Sequence, residues 1–130
     1  MSQEAIISNI LIIDDQPYLH KFLSDDLNEE GYRVMSARDA ESVRGFLDHS
    51  KPDLVLLELS LDGFEGWGLL RYIKSKEPHG PVVIVTAYDS YANDPRISQA
   101  DGYMVKDFAH LSKLKERIAD VLGRGVVSRA

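Results

Sequence analysis

Cysteine is absent from this chain of 130 residues, so neither a disulfide framework nor a thiolate metal site can form. Long apolar runs are also missing, since no stretch approaches the ~20 apolar residues that a membrane-spanning helix needs. Basic residues are in the minority, and the formal net charge is −6. This charge argues against sequence-independent binding of nucleic acid, which requires a basic surface.

The N-terminus, Met1-Ser2-Gln3-Glu4, lacks the basic region of a signal peptide, so we expect a cytoplasmic protein. Hydrophobic residues make up 44% of the chain and charged residues 28%, which is typical of an ordinary globular protein. The length suits one domain that buries about two-thirds of its surface. We expect this domain over residues 10–122, with an N-terminal extension over 1–9 and a tail or linker stump over 123–130.

Short apolar runs alternate with helical patterns along the whole chain. The predicted strands are 10–13, 32–37, 54–57, 82–86 and 103–106, and the predicted helices are 17–30, 40–49, 66–76 and 109–122. Residues 90–99 contain Pro95, which disfavours a helix interior, so we expect a short helix or one irregular turn there. The alternation predicts an α/β fold, a three-layer sandwich with a parallel five-stranded sheet between two helical layers.

Several side chains outside the strand ends have simpler interpretations. The periodicity of the first helix predicts that Phe22, Leu23 and Leu27 face the core. Trp67 is expected to be a half-buried packing residue. The four histidines show no ligand spacing and are predicted to lie on the surface: His20, His49, His79 and His110.

Polar side chains end four of the predicted strands. Asp14 and Asp15 follow the first strand and Glu58 the third, while Thr86 and Lys106 end the fourth and fifth. Because ligands bind at the carboxyl ends of parallel strands, these side chains are expected to converge. Mg²⁺ prefers carboxylate and water oxygens, and cations and hydroxyls stabilise the charge of a transferred phosphoryl group. The pattern therefore indicates a site for Mg²⁺ and phosphate.

The arrangement resembles the response-regulator receiver domain of two-component signalling over about residues 10–122. The resemblance depends on the five strand-end residues in order, on Ala87 directly after Thr86, and on Tyr103 three residues before Lys106. It implies a flavodoxin-like (βα)5 fold with the sheet order 2-1-3-4-5.

The resemblance implies a metal site as well. Asp14 and Asp15 would hold Mg²⁺, together with the carboxylate at position 58. The backbone carbonyl of Ser60 would be a further ligand. Glu58 is longer than the aspartate usual at this position and crowds the cavity, so we expect weak Mg²⁺ affinity.

The remaining residues would handle the phosphoryl group. Glu58 would occupy the phosphoacceptor position, and Lys106 would contact the phosphoryl oxygens. Thr86 would be the switch hydroxyl, and Tyr103 the aromatic residue that changes rotamer with it.

The chain departs from the family pattern in four places. Glu58 replaces aspartate and displaces the carboxylate by roughly 1.5 Å, which predicts that it lies within salt-bridge reach of Lys106. Asp62 and Asp107 stand where the family usually has proline. The span from Thr86 to Lys106 is slightly short, consistent with a reduced fourth helix.

Our preferred hypothesis is a non-enzymatic pseudo-receiver in phosphorelay signal transduction, in which Glu58 is not phosphorylated efficiently and acts through protein–protein interaction. A conventional Mg²⁺-dependent receiver phosphorylated at Glu58, or one held active because Glu58 reaches Lys106, is the close alternative. A Mg²⁺-dependent phosphohydrolase usually has aspartates two positions apart on its first strand, whereas Asp14 and Asp15 are adjacent. A structural docking module without Mg²⁺ is a further alternative.

The expected partners are a sensor histidine kinase or phosphotransfer protein, or an output protein. Direct contact with nucleic acid or a membrane is not expected, and the chain should be a monomer or weak homodimer. Both a stand-alone regulator and a fragment of a longer regulator fit this sequence.

Overall fold

Short apolar runs form the central sheet of the computed structural model, which describes residues 8–61, 64–76, 80–87, 89–106 and 111–123. The strands are β1 (Asn9–Ile13), β2 (Arg33–Ala37), β3 (Leu54–Leu57), β4 (Ser60–Leu61), β5 (Phe64–Glu65), β6 (Val82–Thr86) and β7 (Gly102–Val105). The helices are α1 (Pro17–Glu29), α2 (Ala40–His49), α3 (Trp67–Ser75) and α4 (Leu111–Leu122).

The main sheet has five parallel strands in the order β2-β1-β3-β6-β7. The predicted parallel sheet is thus confirmed. Counted along the chain, its order differs from the predicted 2-1-3-4-5 because two further strands precede β6. These strands, β4 and β5, form a separate antiparallel pair in a region predicted to be a loop. Each is only two residues long, too short for an alternating apolar pattern.

Helices cover both faces of the sheet. One buried cluster contains Val43 of α2 and Leu70 of α3, and the other contains Leu27 of α1 and Ile118 of α4. Successive residues of a strand point to opposite faces, so β1 contributes to both clusters. Every residue of β3 is buried, as expected for a parallel strand covered on two sides. The predicted three-layer arrangement is confirmed.

Local sequence signals set two of the helix boundaries. Asp39 Oδ1 accepts a hydrogen bond from Ser42 N at 2.8 Å and caps α2. The bond from the Ser42 backbone lowers the pKa of Asp39 below its ordinary value. Gly31 follows α1 with φ of 95°, a left-handed conformation that glycine adopts without strain.

The fourth helical position is irregular, as predicted. Two 3₁₀ helices, Asp89–Asn93 and Pro95–Gln99, lie between β6 and β7. Pro95 begins the second one because its missing N–H is not needed there, and the Asp94 side chain accepts from Arg96 N at 2.9 Å. We refer to residues 89–99 as the 3₁₀ segment.

Some predictions fall outside the described residues. These include most of the N-terminal extension, all but Gly123 of the tail, and the substitutions Asp62 and Asp107. β1 begins at Asn9, one residue before the predicted domain start.

In the five described ranges, no helix is long and apolar enough to cross a membrane.

Candidate functional site

The carboxyl ends of four parallel strands bring the predicted polar residues together. Asp14 follows β1, Glu58 follows β3, and Lys106 follows β7, while Thr86 is the last residue of β6. Backbone hydrogen bonds extend the pairing past the strands. Glu58 N donates to Ile13 O at 3.0 Å, and Lys106 N donates to Thr86 O at 2.6 Å. The strand register therefore positions these side chains at one edge of the sheet.

An ammonium group joins two of the carboxylates. Lys106 Nζ lies 2.6 Å from Asp14 Oδ2 and 2.8 Å from Glu58 Oε1. Both carboxylate residues are buried, and so is Thr86. The predicted contact between Glu58 and Lys106 is confirmed. We call Asp14, Glu58 and Lys106 the buried ion cluster.

The other two carboxylate oxygens of the cluster bind backbone amides. Glu58 Oε2 accepts from Ser60 N at 2.9 Å, and Asp14 Oδ1 accepts from Gln16 N at 2.9 Å. Each of the four carboxylate oxygens therefore has a protein donor. The Glu58 side chain is long enough to turn one oxygen back to its own strand end while the other reaches Lys106.

Two opposing effects act on the Lys106 ammonium. Burial lowers its pKa, but hydrogen bonds and charge attraction from Asp14 and Glu58 outweigh burial and raise the pKa above its ordinary value. Lys106 is therefore charged at neutral pH. With two carboxylates and one ammonium, the buried ion cluster retains one excess negative charge.

The donor set has the chemistry of a Mg²⁺ site, since carboxylate and carbonyl oxygens are preferred Mg²⁺ ligands. The geometry is not yet that of a metal site. Within the described ranges, no group of three or more His, Asp or Glu side chains is placed to hold a metal ion. Lys106 contacts one oxygen of Asp14 and one of Glu58. The predicted ligand set, with Asp15 and the Ser60 carbonyl, stays a prediction.

The two predicted switch residues differ in burial. Thr86 is buried at the end of β6. Tyr103 is half-buried and packs against the core cluster that contains Leu57 and Ile84, with Ile84 as its register partner. The Lys106 side chain points into the site, and Tyr103 is not fully exposed. The switch role of Thr86 and Tyr103, including an inward rotamer of Tyr103, stays a prediction.

Two residues of α1 lie in environments opposite to those predicted. His20 is buried, and its Nε2 bonds the Asp14 carbonyl oxygen, whereas Phe22 is exposed. His20 lies three and seven residues before the buried Leu23 and Leu27, a helical spacing that could have indicated its inward position. The polar character of histidine masked that signal. His49 is exposed as predicted, and the other two histidines lie outside the described residues.

Comparisons with known proteins agree with this architecture. Residues 10–119 match the model of the family described as response regulator receiver domain. The chain is 34% identical over 119 residues to the probable transcriptional regulator ycf27 of Porphyridium aerugineum, covering 88% of this chain and 48% of that protein. It is 34% identical over 101 residues to the positive alginate biosynthesis regulatory protein of Pseudomonas aeruginosa, covering 75% and 41%. The chain thus spans about half the length of the curated relatives it matches.

Solved structures of similar proteins include the response regulator TrrA of Thermotoga maritima in complex with Mg²⁺-BeF. That chain superposes with a TM-score of 0.81 at 30% identity, covering 88% of this chain and 99% of the other. A complex of the histidine kinase ThkA with TrrA gives a TM-score of 0.81 at 31% identity, covering 89% and 99%. The fold is accordingly flavodoxin-like. The chain belongs to the response regulator receiver domain family of two-component signalling, whose members are signalling proteins and not enzymes.

Proposed function

We propose that this chain is an atypical receiver in phosphorelay signal transduction, in which Glu58 stands at the phosphoacceptor position and acts through contact with a partner protein. The observation that carries this proposal is the 2.8 Å contact between Lys106 Nζ and Glu58 Oε1. The ammonium that would stabilise a phosphoryl group is already paired with the side chain that would accept it.

This pairing makes phosphorylation at Glu58 slow. Both Glu58 oxygens have donors, Lys106 on one side and Ser60 N on the other. A nucleophilic oxygen has to leave one of these donors and align with the incoming phosphorus. In-line transfer is sensitive to displacements of about 1 Å, which can cost on the order of 10²-fold in rate.

The partner is a sensor histidine kinase, a phosphotransfer protein or an output protein. The solved complex of ThkA with TrrA, a receiver at 31% identity, supports a kinase as one candidate. The receiver spans residues 10–122 and works as a monomer or weak homodimer. Thr86 and Tyr103 form the switch pair, held inward by the ion pair of Glu58 with Lys106.

Mg²⁺ binds weakly in this proposal. Asp14, Asp15 and Glu58 supply carboxylate oxygens and Ser60 a backbone carbonyl. The metal would neutralise negative charge near the acceptor. Because Lys106 already neutralises part of that charge, metal and ammonium compete for the same oxygens. Millimolar Mg²⁺ should shift the NMR signals of the backbone amides of Asp14, Asp15 and Glu58. The absence of a shift in all three amides would contradict weak binding.

The decisive experiment compares the native chain with Glu58→Asp and Glu58→Gln. Each protein is incubated with Mg²⁺ and a small acyl or amido phosphate, and its intact mass is measured. We expect little or no adduct on the native chain and one phosphoryl group on Glu58→Asp, which restores the shorter acceptor. Glu58→Gln is the matched control, since it keeps the size of the side chain and should remain unmodified.

The other outcomes separate the alternatives. Stoichiometric modification of the native chain, absent in Glu58→Gln, would identify a working receiver with glutamate as its acceptor. No adduct on any of the three proteins would favour a purely structural docking module. The contacts of Lys106 with one oxygen each of Asp14 and Glu58 make that module the second candidate. Steady turnover of a generic phosphate ester would instead indicate a phosphohydrolase.

A further inference from the structure

Trp67, the first residue of α3, is the single tryptophan of the chain and is only 4% exposed. It packs against the 3₁₀ segment. The guanidinium carbon of Arg96 lies 4.3 Å from the Trp67 ring centroid. The ring of Tyr91 meets the indole edge-on, with centroids 6.0 Å apart and an interplanar angle of 80°. We call Trp67, Tyr91 and Arg96 the aromatic latch.

Asp94 holds Arg96 in position over the indole ring. Its Oδ1 accepts from Arg96 Nε at 3.0 Å, and its Oδ2 accepts from Nη2 at 2.7 Å. These bonds lower the pKa of Asp94 to about 2, so the carboxylate is ionised at neutral pH. A forked pair of this kind fixes the plane of the guanidinium as well as its location. The Arg96 side chain is nevertheless 46% exposed, so water can reach it.

One polar atom of the closed latch lacks a hydrogen-bond partner in the described part of the structure. Trp67 Nε1 is buried and finds no hydrogen-bond partner among the described residues. A buried donor without an acceptor destabilises the state that contains it by about as much as one good contact stabilises it. The cation–π and edge-to-face contacts of Arg96 and Tyr91 act in the opposite direction with similar size. The unpaired indole N–H therefore offsets part of the stabilisation that the Arg96 and Tyr91 contacts give to the closed latch.

Trp67 is joined to the buried ion cluster through the backbone. The preceding residue, Gly66, donates its N–H to Leu59 O at 2.5 Å. Gly66 also lies so close to the strand end that a Cβ there would be 2.8 Å from the Glu58 carbonyl oxygen. The backbone that leads into Trp67 is thus packed directly against the backbone next to Glu58.

The 3₁₀ segment is joined to the other side of the same site. It begins three residues after Thr86, the last residue of β6, and ends before β7, which leads directly to Lys106. Ile97 and Tyr91 pack against the same core cluster as Trp67. The latch thus connects the two halves of the site, the backbone of Glu58 and the strands that carry Thr86 and Lys106.

We propose that the aromatic latch is a conformational device in which Arg96 and Tyr91 hold the 3₁₀ segment closed over Trp67, and in which release of Arg96 opens the segment and hydrates the indole. The test of this device does not require phosphorylation of Glu58.

The test uses the single tryptophan as its own probe. Arg96→Met removes the cation but keeps an apolar chain over the ring. Arg44→Met is the matched control because it removes a cation from the ring of Tyr72, 5.5 Å away, outside the latch. Two quantities are measured: quenching of the Trp67 fluorescence by acrylamide, and hydrogen exchange of the one indole N–H by NMR. Circular dichroism confirms that both variants are folded.

We expect Arg96→Met to speed indole exchange by roughly fivefold, as loss of one cation–π contact implies, and to increase quenching with a shift of the emission to longer wavelength. Arg44→Met should match the native chain. Asp94→Asn, which removes one of the two acceptors of the forked pair, should increase indole exchange and quenching by an intermediate amount. This variant tests the proposal if Arg96→Met fails to fold. Native-like exchange and quenching in the Arg96 and Asp94 variants would overturn the proposal. An equal increase in Arg44→Met would overturn it too, because the change would then be a general loosening of the fold.

Discussion

Two lysines of this protein each lie between two carboxylates, but the first lysine is buried and the second is partly exposed. Lys106 contacts Asp14 and Glu58 at 2.6 and 2.8 Å. Lys115 of α4 contacts Asp26 and Glu30 at 3.3 and 3.6 Å and joins α4 to the acidic end of α1. The Lys106 side chain is 10% exposed and that of Lys115 is 31% exposed. The two clusters contain the same number of charged groups but differ in burial and in contact distance.

The environments act on the two ammonium groups in different ways. For Lys115, the contact with Asp26 is the largest influence, and it raises the pKa. For Lys106, burial is the largest single influence and lowers the pKa, and only the two close carboxylates reverse it. The charge of a buried ammonium thus depends on its carboxylate partners far more than the charge of a more exposed ammonium does. Removing a charged partner should therefore lower the free energy of unfolding at the buried ion cluster and change it little around Lys115.

The largest expected effect follows from removing the buried ammonium. Lys106→Met leaves two carboxylates buried without a counter-ion, and breaking a buried pair in this way costs about 3–5 kcal/mol of stability. Urea unfolding followed by circular dichroism gives the free energy of unfolding of both proteins. A loss below about 1 kcal/mol would mean that water or protonation of a carboxylate replaces Lys106 easily.

Removing one carboxylate should have a smaller effect. Glu58→Gln leaves Asp14 paired with Lys106 and removes the excess negative charge of the buried ion cluster. The substitution weakens a hydrogen bond of Lys106 but relieves the repulsion between the two carboxylates. We therefore expect the free energy of unfolding to fall by only about 1 kcal/mol. The same urea titration checks it. A loss as large as that of Lys106→Met would show that the contact of Glu58 with Lys106, and not the charge balance, holds the cluster.

The pH dependence of stability tests the raised pKa of the buried lysine. The two carboxylates raise the folded-state pKa of Lys106 above its ordinary value of 10.5, against the opposing effect of burial. Its contribution to stability is therefore fully present below that pH and is lost as the pH rises through the folded-state pKa. We expect the stability difference between the native chain and Lys106→Met to narrow above pH 10.5. A difference that stays constant to the highest accessible pH would contradict the raised pKa.

The smallest expected effect follows from removing Lys115, which contacts Asp26 and Glu30. Lys115→Met should change the free energy of unfolding by about 0–1 kcal/mol, the usual range for exposed ion pairs. Any loss should shrink when salt is added, because exposed charges are screened over about 10 Å at 0.1 M. Urea unfolding at low and high salt measures this. A loss comparable to that of Lys106→Met would remove the contrast between the two environments.

The sheet and the convergence of the strand ends could be predicted because both follow from local patterns. Apolar runs mark the strands, and parallel strands bring their carboxyl ends together, so Glu58 was expected near Lys106. The second contact of Lys106, with Asp14, was not predicted. It depends on rotamers and on the separation of β1 from β7, which apolar patterns do not encode.

Other features were missed for equally physical reasons. The pair β4 and β5 is too short for an alternating pattern, and His20 is buried at a position where a polar residue is expected to face water. Trp67 was expected to be only half-buried, yet it is almost fully covered. The covering contact of Arg96 arises from the geometry of the 3₁₀ segment, which a sequence containing Pro95 predicts only as an irregular turn.

The hydrogen bond between Lys106 and Asp14 joins residues 92 positions apart. Bringing residues so far apart into contact costs conformational entropy, and here it also requires β1, β3, β6 and β7 to be assembled in register. The buried ion cluster is therefore expected to form late, after the folding transition state. Contacts that form late slow unfolding without speeding folding. The cluster at the signalling site would then also govern how long the native chain persists once it has folded.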